Sequence, residues 1–108
     1  MPTRAARGHS CGVMIEATER LVEELRPPLD REAALLEADR CLECGGPYAA
    51  APCTVACPAA VDVAGFVGAI ADDDPEAAAE TILAENLLGA TCARVCPTEV
   101  LCEQACVR

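Results

Sequence analysis

An all-α fold is what this sequence predicts. Apolar residues recur at helical spacing in four stretches, proline and glycine punctuate the gaps, and no stretch alternates with the period of a strand. The material for a core is thin: 53% of the 108 residues are apolar, but most of these are Ala, Val and Cys, with one Phe, one Tyr and no Trp. Aromatic side chains bury the largest areas in ordinary cores. A small domain that lacks them needs a disulfide, a metal or a partner to stay folded.

Residues 1–12 read as a flexible arm and residues 13–108 as one helical domain. Over 13–26, Met14, Leu21 and Leu25 share one side, acidic residues lie mostly elsewhere, and Pro27–Pro28 ends the helix. A second helix is predicted from an N-cap at Asp30 to about Leu42, with Leu35, Ala38 and Leu42 at helical spacing. The stretch 43–61, broken by Gly45–Gly46–Pro47, Pro52 and Pro58, reads as loop. Asp62 caps a third helix whose Val63, Phe66, Val67 and Ile70 fall at i, i+3, i+4 and i+7.

The run Asp72–Asp73–Asp74 lacks the alternating ligand spacing of a calcium loop and reads as a solvated turn and cap. Asp74 caps a fourth helix with Pro75 at its first position, where the missing N–H costs nothing. Ala79, Ile82, Leu83 and Leu87 are its expected buried stripe, and Gly89 its expected end. Thr98 is expected to cap a last helical turn or two.

Eight of the nine cysteines fall into two groups of four. The first reads Cys41-x2-Cys44-x8-Cys53-x3-Cys57-Pro58, the second Cys92-x3-Cys96-Pro97-x4-Cys102-x3-Cys106. Arg4 and Arg7 are followed by no apolar stretch, so no secretory signal is read, and no run is long enough to span a bilayer. A cytoplasmic location follows, where thiols stay reduced and clustered cysteines serve as metal ligands. The odd count also argues against a closed disulfide framework. Cys11 and His9 read as incidental.

Iron–sulfur chemistry explains the spacing. Each iron of a cubane cluster takes one thiolate, and a C-x2-C turn sets two sulfurs on adjacent corners while leaving backbone N–H groups free for the cluster sulfides. The repeated Cys-x3-Cys-Pro is similar to the last Cys-x3-Cys-Pro of two-cluster ferredoxins, where the cysteine before proline serves the other cluster. By that logic Cys41, Cys44 and Cys53 hold one cluster, Cys57 crosses to the second, and Cys106 completes the first in exchange. A zinc site is usually signed by two C-x2-C pairs, and this chain has one.

The segments Glu37-Ala38-Asp39-Arg40-Cys41-Leu42-Glu43-Cys44, Pro52-Cys53 to Cys57-Pro58, Asp62 to Ile70, Asn86 to Gly89, Cys92 to Pro97 and Leu101-Cys102 to Cys106 resemble the N-terminal iron–sulfur domain of the glutamate synthase small subunit. Similar domains belong to dihydropyrimidine dehydrogenase and to the large subunit of the flavin-based NADH-dependent ferredoxin:NADP oxidoreductase. The resemblance covers about residues 32–108. It implies a small helical, α-helical ferredoxin-like domain organised around two [4Fe–4S] clusters, which relay electrons between an FAD domain reduced by NAD(P)H and a second redox site. FAD and NAD(P)H would then sit on a partner chain or a further domain.

The resemblance further implies Cys41, Cys44, Cys53 and Cys106 as ligands of one cluster and Cys57, Cys96 and Cys102 as three ligands of the other. In relatives the fourth is often a Gln or Glu beyond the last cysteine; within this chain Cys92 is the candidate. Two departures stand out. The loop from Cys44 to Cys53 is longer by several residues, filled by Tyr48 to Ala51, and the sequence ends at Arg108 before any downstream ligand or flavin domain. A fragment or a split-gene product is therefore expected.

A formal charge of −10 and a pI of about 4.3 exclude a general nucleic-acid binder and oppose attraction to anionic membranes. They suit docking on a basic partner face. The sequence has no G-x-G-x-x-G, no nucleophile–base set and one His. Catalysis by the chain alone is not expected, only as a subunit or fragment of an NAD(P)H-dependent oxidoreductase. The rival readings are a structural zinc-binding interaction module and an iron–sulfur redox sensor.

Overall fold

In the computed structural model, which describes residues 27–108, the chain forms α1 (Arg31–Ala38), α2 (Pro52–Ala56), α3 (Val63–Ala71), α4 (Pro75–Glu85), α5 (Gly89–Val95), a 3-10 turn (Thr98–Val100) and α6 (Cys102–Ala105). No strand occurs among the described residues. The predicted helix over 13–26 and the arm over 1–12, with His9 and Cys11, lie outside them.

Aspartates start the three longest helices. Asp30 accepts from the Ala33 amide (2.8 Å), Asp62 from Gly65 (3.0 Å) and Asp74 from Ala77 (3.0 Å). Each satisfies one of the N–H groups that a first helical turn leaves open. Helix α3 packs on α4 and α1 on α3, while α2 lies between α3 and α6. Asp73, at φ 60°, turns the chain between α3 and α4 and pairs with Arg31 at the start of α1 (Nε to Oδ1, 3.1 Å). The aspartate run is the turn and cap that its spacing predicted.

The buried apolar residues among those described are Ala38, Ala51, Val61 and Ala78, and no large side chain is fully buried. A fully buried Leu or Phe contributes about 1.5–3 kcal/mol and a methyl group about 0.8. The hydrocarbon interior is therefore as thin as the composition implied, and Val63, Phe66, Val67 and Ile70 of α3 are only half-buried.

Several boundaries differ from the sequence reading. Helix α1 stops at Ala38, not Leu42: the Asp39 amide bonds Leu35 O, and the Arg40 and Cys41 amides then bond Glu37 O and Ala38 O in a tight turn. That turn carries the chain to Cys41 and leaves Leu42 exposed. The segment 43–61 is not all loop, because Pro52 opens α2. The inward face of α4 is Ala78, Thr81 and Ile82, while Ala79, Leu83 and Leu87 are exposed. Small side chains meet where α3 and α4 close together.

Asn86, not Gly89, ends α4, and Gly89 begins α5. A Cβ at Gly89 would run into the Ile82 side chain, so glycine allows α5 to start directly against α4. Thr98 is the first residue of the 3-10 turn and caps nothing; its hydroxyl donates to the Glu103 carboxylate (3.0 Å).

Candidate metal centre

Each of the Cys-x3-Cys pairs rides on a short helix. Cys53 and Cys57 belong to α2, Cys92 and Cys96 to α5, Cys102 and Cys106 to α6, and the second cysteine is the C-cap every time. Cys57, Cys96 and Cys106 share extended backbone, with φ of −74°, −69° and −66° and ψ of 118°, 129° and 139°. For Cys57 and Cys96 the following proline is the cause, since its ring disfavours helical geometry in the residue before it. A spacing of four within a helix sets both side chains on one face.

The remaining pair sits on a turn. Glu43, at φ 48°, lies between Cys41 and Cys44 and directs its amide to the Cys41 sulfur (3.5 Å). Left-handed backbone is strained for such a residue, and here it aims an N–H at a thiol. Gly45, at φ 86°, continues the turn where a side chain would strike Ala49 O. The Arg108 guanidinium donates to Arg40 O (3.1 Å), so the last described residue is tied beside Cys41 across 68 positions of sequence.

These segments converge. Cys41, Cys44, Cys53 and Cys106 line one cleft of about 40 Å³, together with Ala51, Pro52 and Ala64. Cys41, Cys53 and Cys106 also line a cavity of about 460 Å³, whose wall adds Cys102, Arg40 and Arg108. Cys57, Cys92 and Cys96 lie outside both walls. A larger groove of about 840 Å³, between the 44–51 turn and α3, has Cys44 alone of the cysteines in its wall. Size does not mark the site; sulfur does.

Cys102 stands at the junction of the two groups. Burial raises its thiol above the ordinary value, and the charges of Cys96 and Glu103 push the same way against backbone hydrogen bonds that lower it. Cys96 is thus an electrostatic neighbour of Cys102. Cys57 closes α2, which packs on the helix that begins with Cys102. The Cys92 sulfur accepts from the Asn86 side-chain amide (3.2 Å).

Among the described residues no three His, Cys, Asp or Glu side chains converge as ligands of a single metal ion do. A cubane takes its thiolates at separate corners. A cleft walled by four cysteines from three stretches of chain has the donor chemistry that such a group requires. The sequence reading quoted Glu43 and Asn86 within the segments that carry the resemblance but gave neither a role, and it did not single out Arg108.

Residues 17–108 match the family described as dihydropyrimidine dehydrogenase domain II, 4Fe-4S cluster. The chain belongs to this family. It is 47% identical over 87 residues to the NAD-dependent dihydropyrimidine dehydrogenase subunit PreT of Escherichia coli strain K12, covering 81% of this chain and 20% of that protein. The PreT homolog of Salmonella typhi and PreT of Salmonella typhimurium strain LT2 match with the same identity and coverage. The chain thus spans about a fifth of the length of these curated relatives. The family match includes all eight grouped cysteines and leaves Cys11 and His9 outside. Among the described residues, no helix is long and apolar enough to cross a membrane.

Proposed function

We propose that this chain is an electron-relay module that holds two [4Fe–4S] clusters and passes electrons between an NAD(P)H–FAD reductase partner or domain and a second redox site. One observation carries the reading: Cys41, Cys44, Cys53 and Cys106, distant in sequence, wall a single cleft. These four are the ligands of one cluster. Cys57, Cys96 and Cys102 are three ligands of the other, whose fourth is Cys92 or a group outside the described residues. The relatives' names, subunits of an NAD-dependent dihydropyrimidine dehydrogenase, support a place in an NAD-linked oxidoreductase. The cytoplasm, where thiols stay reduced, is the compartment that suits such ligands.

Bound clusters of this type accept and release single electrons, at potentials between roughly −700 and +450 mV that hydrogen bonding and burial tune. The chain's own contribution is the setting. The Glu43 amide, directed at the Cys41 sulfur, stabilises negative charge there. Arg40 and Arg108 line the adjoining cavity and offset the charge of gathered thiolates. Asp39 and Glu43 are exposed beside the first cysteine pair, and the chain's net charge of −10 suits a basic partner.

The test is anaerobic reduction. With the clusters in place, NAD(P)H is expected to bleach the brown chromophore only when an FAD-containing reductase is added. A second oxidised acceptor should then restore the colour. A chromophore that neither a reduced flavoprotein nor dithionite bleaches contradicts the relay.

A further inference from the structure

Asn86 spends every polar group on the corner between α4 and α5. Its backbone N–H donates to Ile82 O (2.9 Å) and ends α4, and its backbone C=O accepts from the Gly89 amide (3.1 Å). Its side-chain Oδ1 accepts from the Leu88 amide (3.0 Å), and Nδ2 donates to the Cys92 sulfur (3.2 Å). The side chain is therefore anchored at both ends. The corner itself is tight, because Gly89 meets Ile82 with no room for a Cβ.

The other two Cys-x3-Cys helices are built differently. Cys53 and Cys102 are the second and first residues of their helices, and both face the cavity that Cys41 and Cys106 share. Cys92 is the fourth residue of α5, and its sulfur is held by an amide from the preceding turn. The Cys57 and Cys106 amides bond the carbonyls of Thr54 and Glu103, three residues back, whereas the Cys96 amide bonds Cys92 O itself (2.9 Å). Whatever fixes Cys92 thereby fixes Cys96, one helical turn on.

We propose that Asn86 is a positioning residue for the second cluster: its amide latches the Cys92 sulfur and so fixes the pitch at which α5 presents the Cys96 thiolate. The inference rests on the two-cluster reading above and goes beyond it, since it gives Cys92 a task that does not require an iron. Partners that orient ligands change metal affinity by about 10–100-fold when lost.

Three single variants of the cluster-loaded chain, Asn86→Asp, Cys92→Ala and Cys92→Ser, and the Asn86→Asp/Cys92→Ala double variant test it. Aspartate keeps the acceptor for the Leu88 amide, loses the N–H donor and adds a negative charge, whose effect the double variant separates from loss of the bond; serine keeps an acceptor at position 92 and alanine does not. Iron release to a chelator and the electron paramagnetic resonance spectrum of the dithionite-reduced protein are the readouts, with circular dichroism to show that the fold persists. Asn86→Asp and Cys92→Ala should each release iron from one cluster about 10-fold faster and alter one of two signals. Cys92→Ser should release iron more slowly than Cys92→Ala, and the Asn86→Asp/Cys92→Ala double variant should be no worse than either single one.

An Asn86→Asp protein with unaltered spectrum and iron release overturns the latch. So does a Cys92→Ser protein that loses iron as badly as Cys92→Ala, which makes Cys92 a ligand in its own right. If the unaltered chain itself assembles fewer than two clusters, it is the two-cluster reading that fails, and the inference falls with it.

Discussion

The frame helices α1, α3 and α4 each begin on an aspartate whose carboxylate takes up a first-turn amide. The cysteine helices α2, α5 and α6 have no side-chain cap, run for 5, 7 and 4 residues, and each ends on a cysteine in extended backbone. Helices that short do not hold themselves in water. The frame is specified by capping and apolar spacing. Proline follows the terminal cysteine of α2 and α5, and under the proposed reading it is cluster binding that holds all three cysteine helices. The two halves of the fold therefore answer to different perturbations.

The largest effect should come from the sulfur side. Cys41→Ser or Cys102→Ser should lose a cluster outright and with it much of the folding free energy, because metal binding and folding are one process in such domains. Iron quantitation and thermal melts followed by circular dichroism check this. A Cys102→Ser protein that stayed fully folded and fully reducible would remove Cys102 from the ligand set.

Stripping the clusters with a chelator should divide the molecule along the same line. Amide exchange is expected to rise first over residues 52–57 and 102–106, while residues 63–71 and 75–85 keep part of their protection. Simultaneous loss in both would mean that the frame has no stability of its own.

Changes confined to the frame should be smaller and leave iron untouched. Asp74→Ala removes one capping bond, worth about 1 kcal/mol, and should lower the melting temperature by about 4–8 °C. Arg31→Ala breaks an exposed ion pair with Asp73, whose side chains are 74% and 47% accessible. Such pairs contribute at most about 1 kcal/mol, so its melt should barely move. Iron loss in any of these variants would blur the division.

The same division governs what could be read from sequence. Asp30, Asp62, Asp74 and Pro75 were legible because capping chemistry is local. The i, i+3, i+4 pattern of α3 was legible because it is periodic. Helix α2 was hidden by its prolines, although Pro52 at a first helical position followed by cysteines four apart is a helix signal in retrospect. The α4 stripe was misplaced because the close α3–α4 contact selects Ala78 over the larger Leu83 and Leu87, a tertiary choice that periodicity does not encode. The two runs of four cysteines are visible in the spacing, whereas the assignment of cysteines to clusters came from the crossover pattern and the resemblance. The place of Cys102 in the wall of the 460 Å³ cavity, the Glu43 amide and the Asn86 bond depend on distances that only the folded chain sets.

Iron and acid-labile sulfide, counted per chain after anaerobic reconstitution alongside a circular dichroism spectrum, test the central claim most directly. Two cubane clusters require about eight of each, in a brown protein whose helicity falls when the metal is withdrawn. A colourless, iron-free chain that is nonetheless fully helical would contradict it.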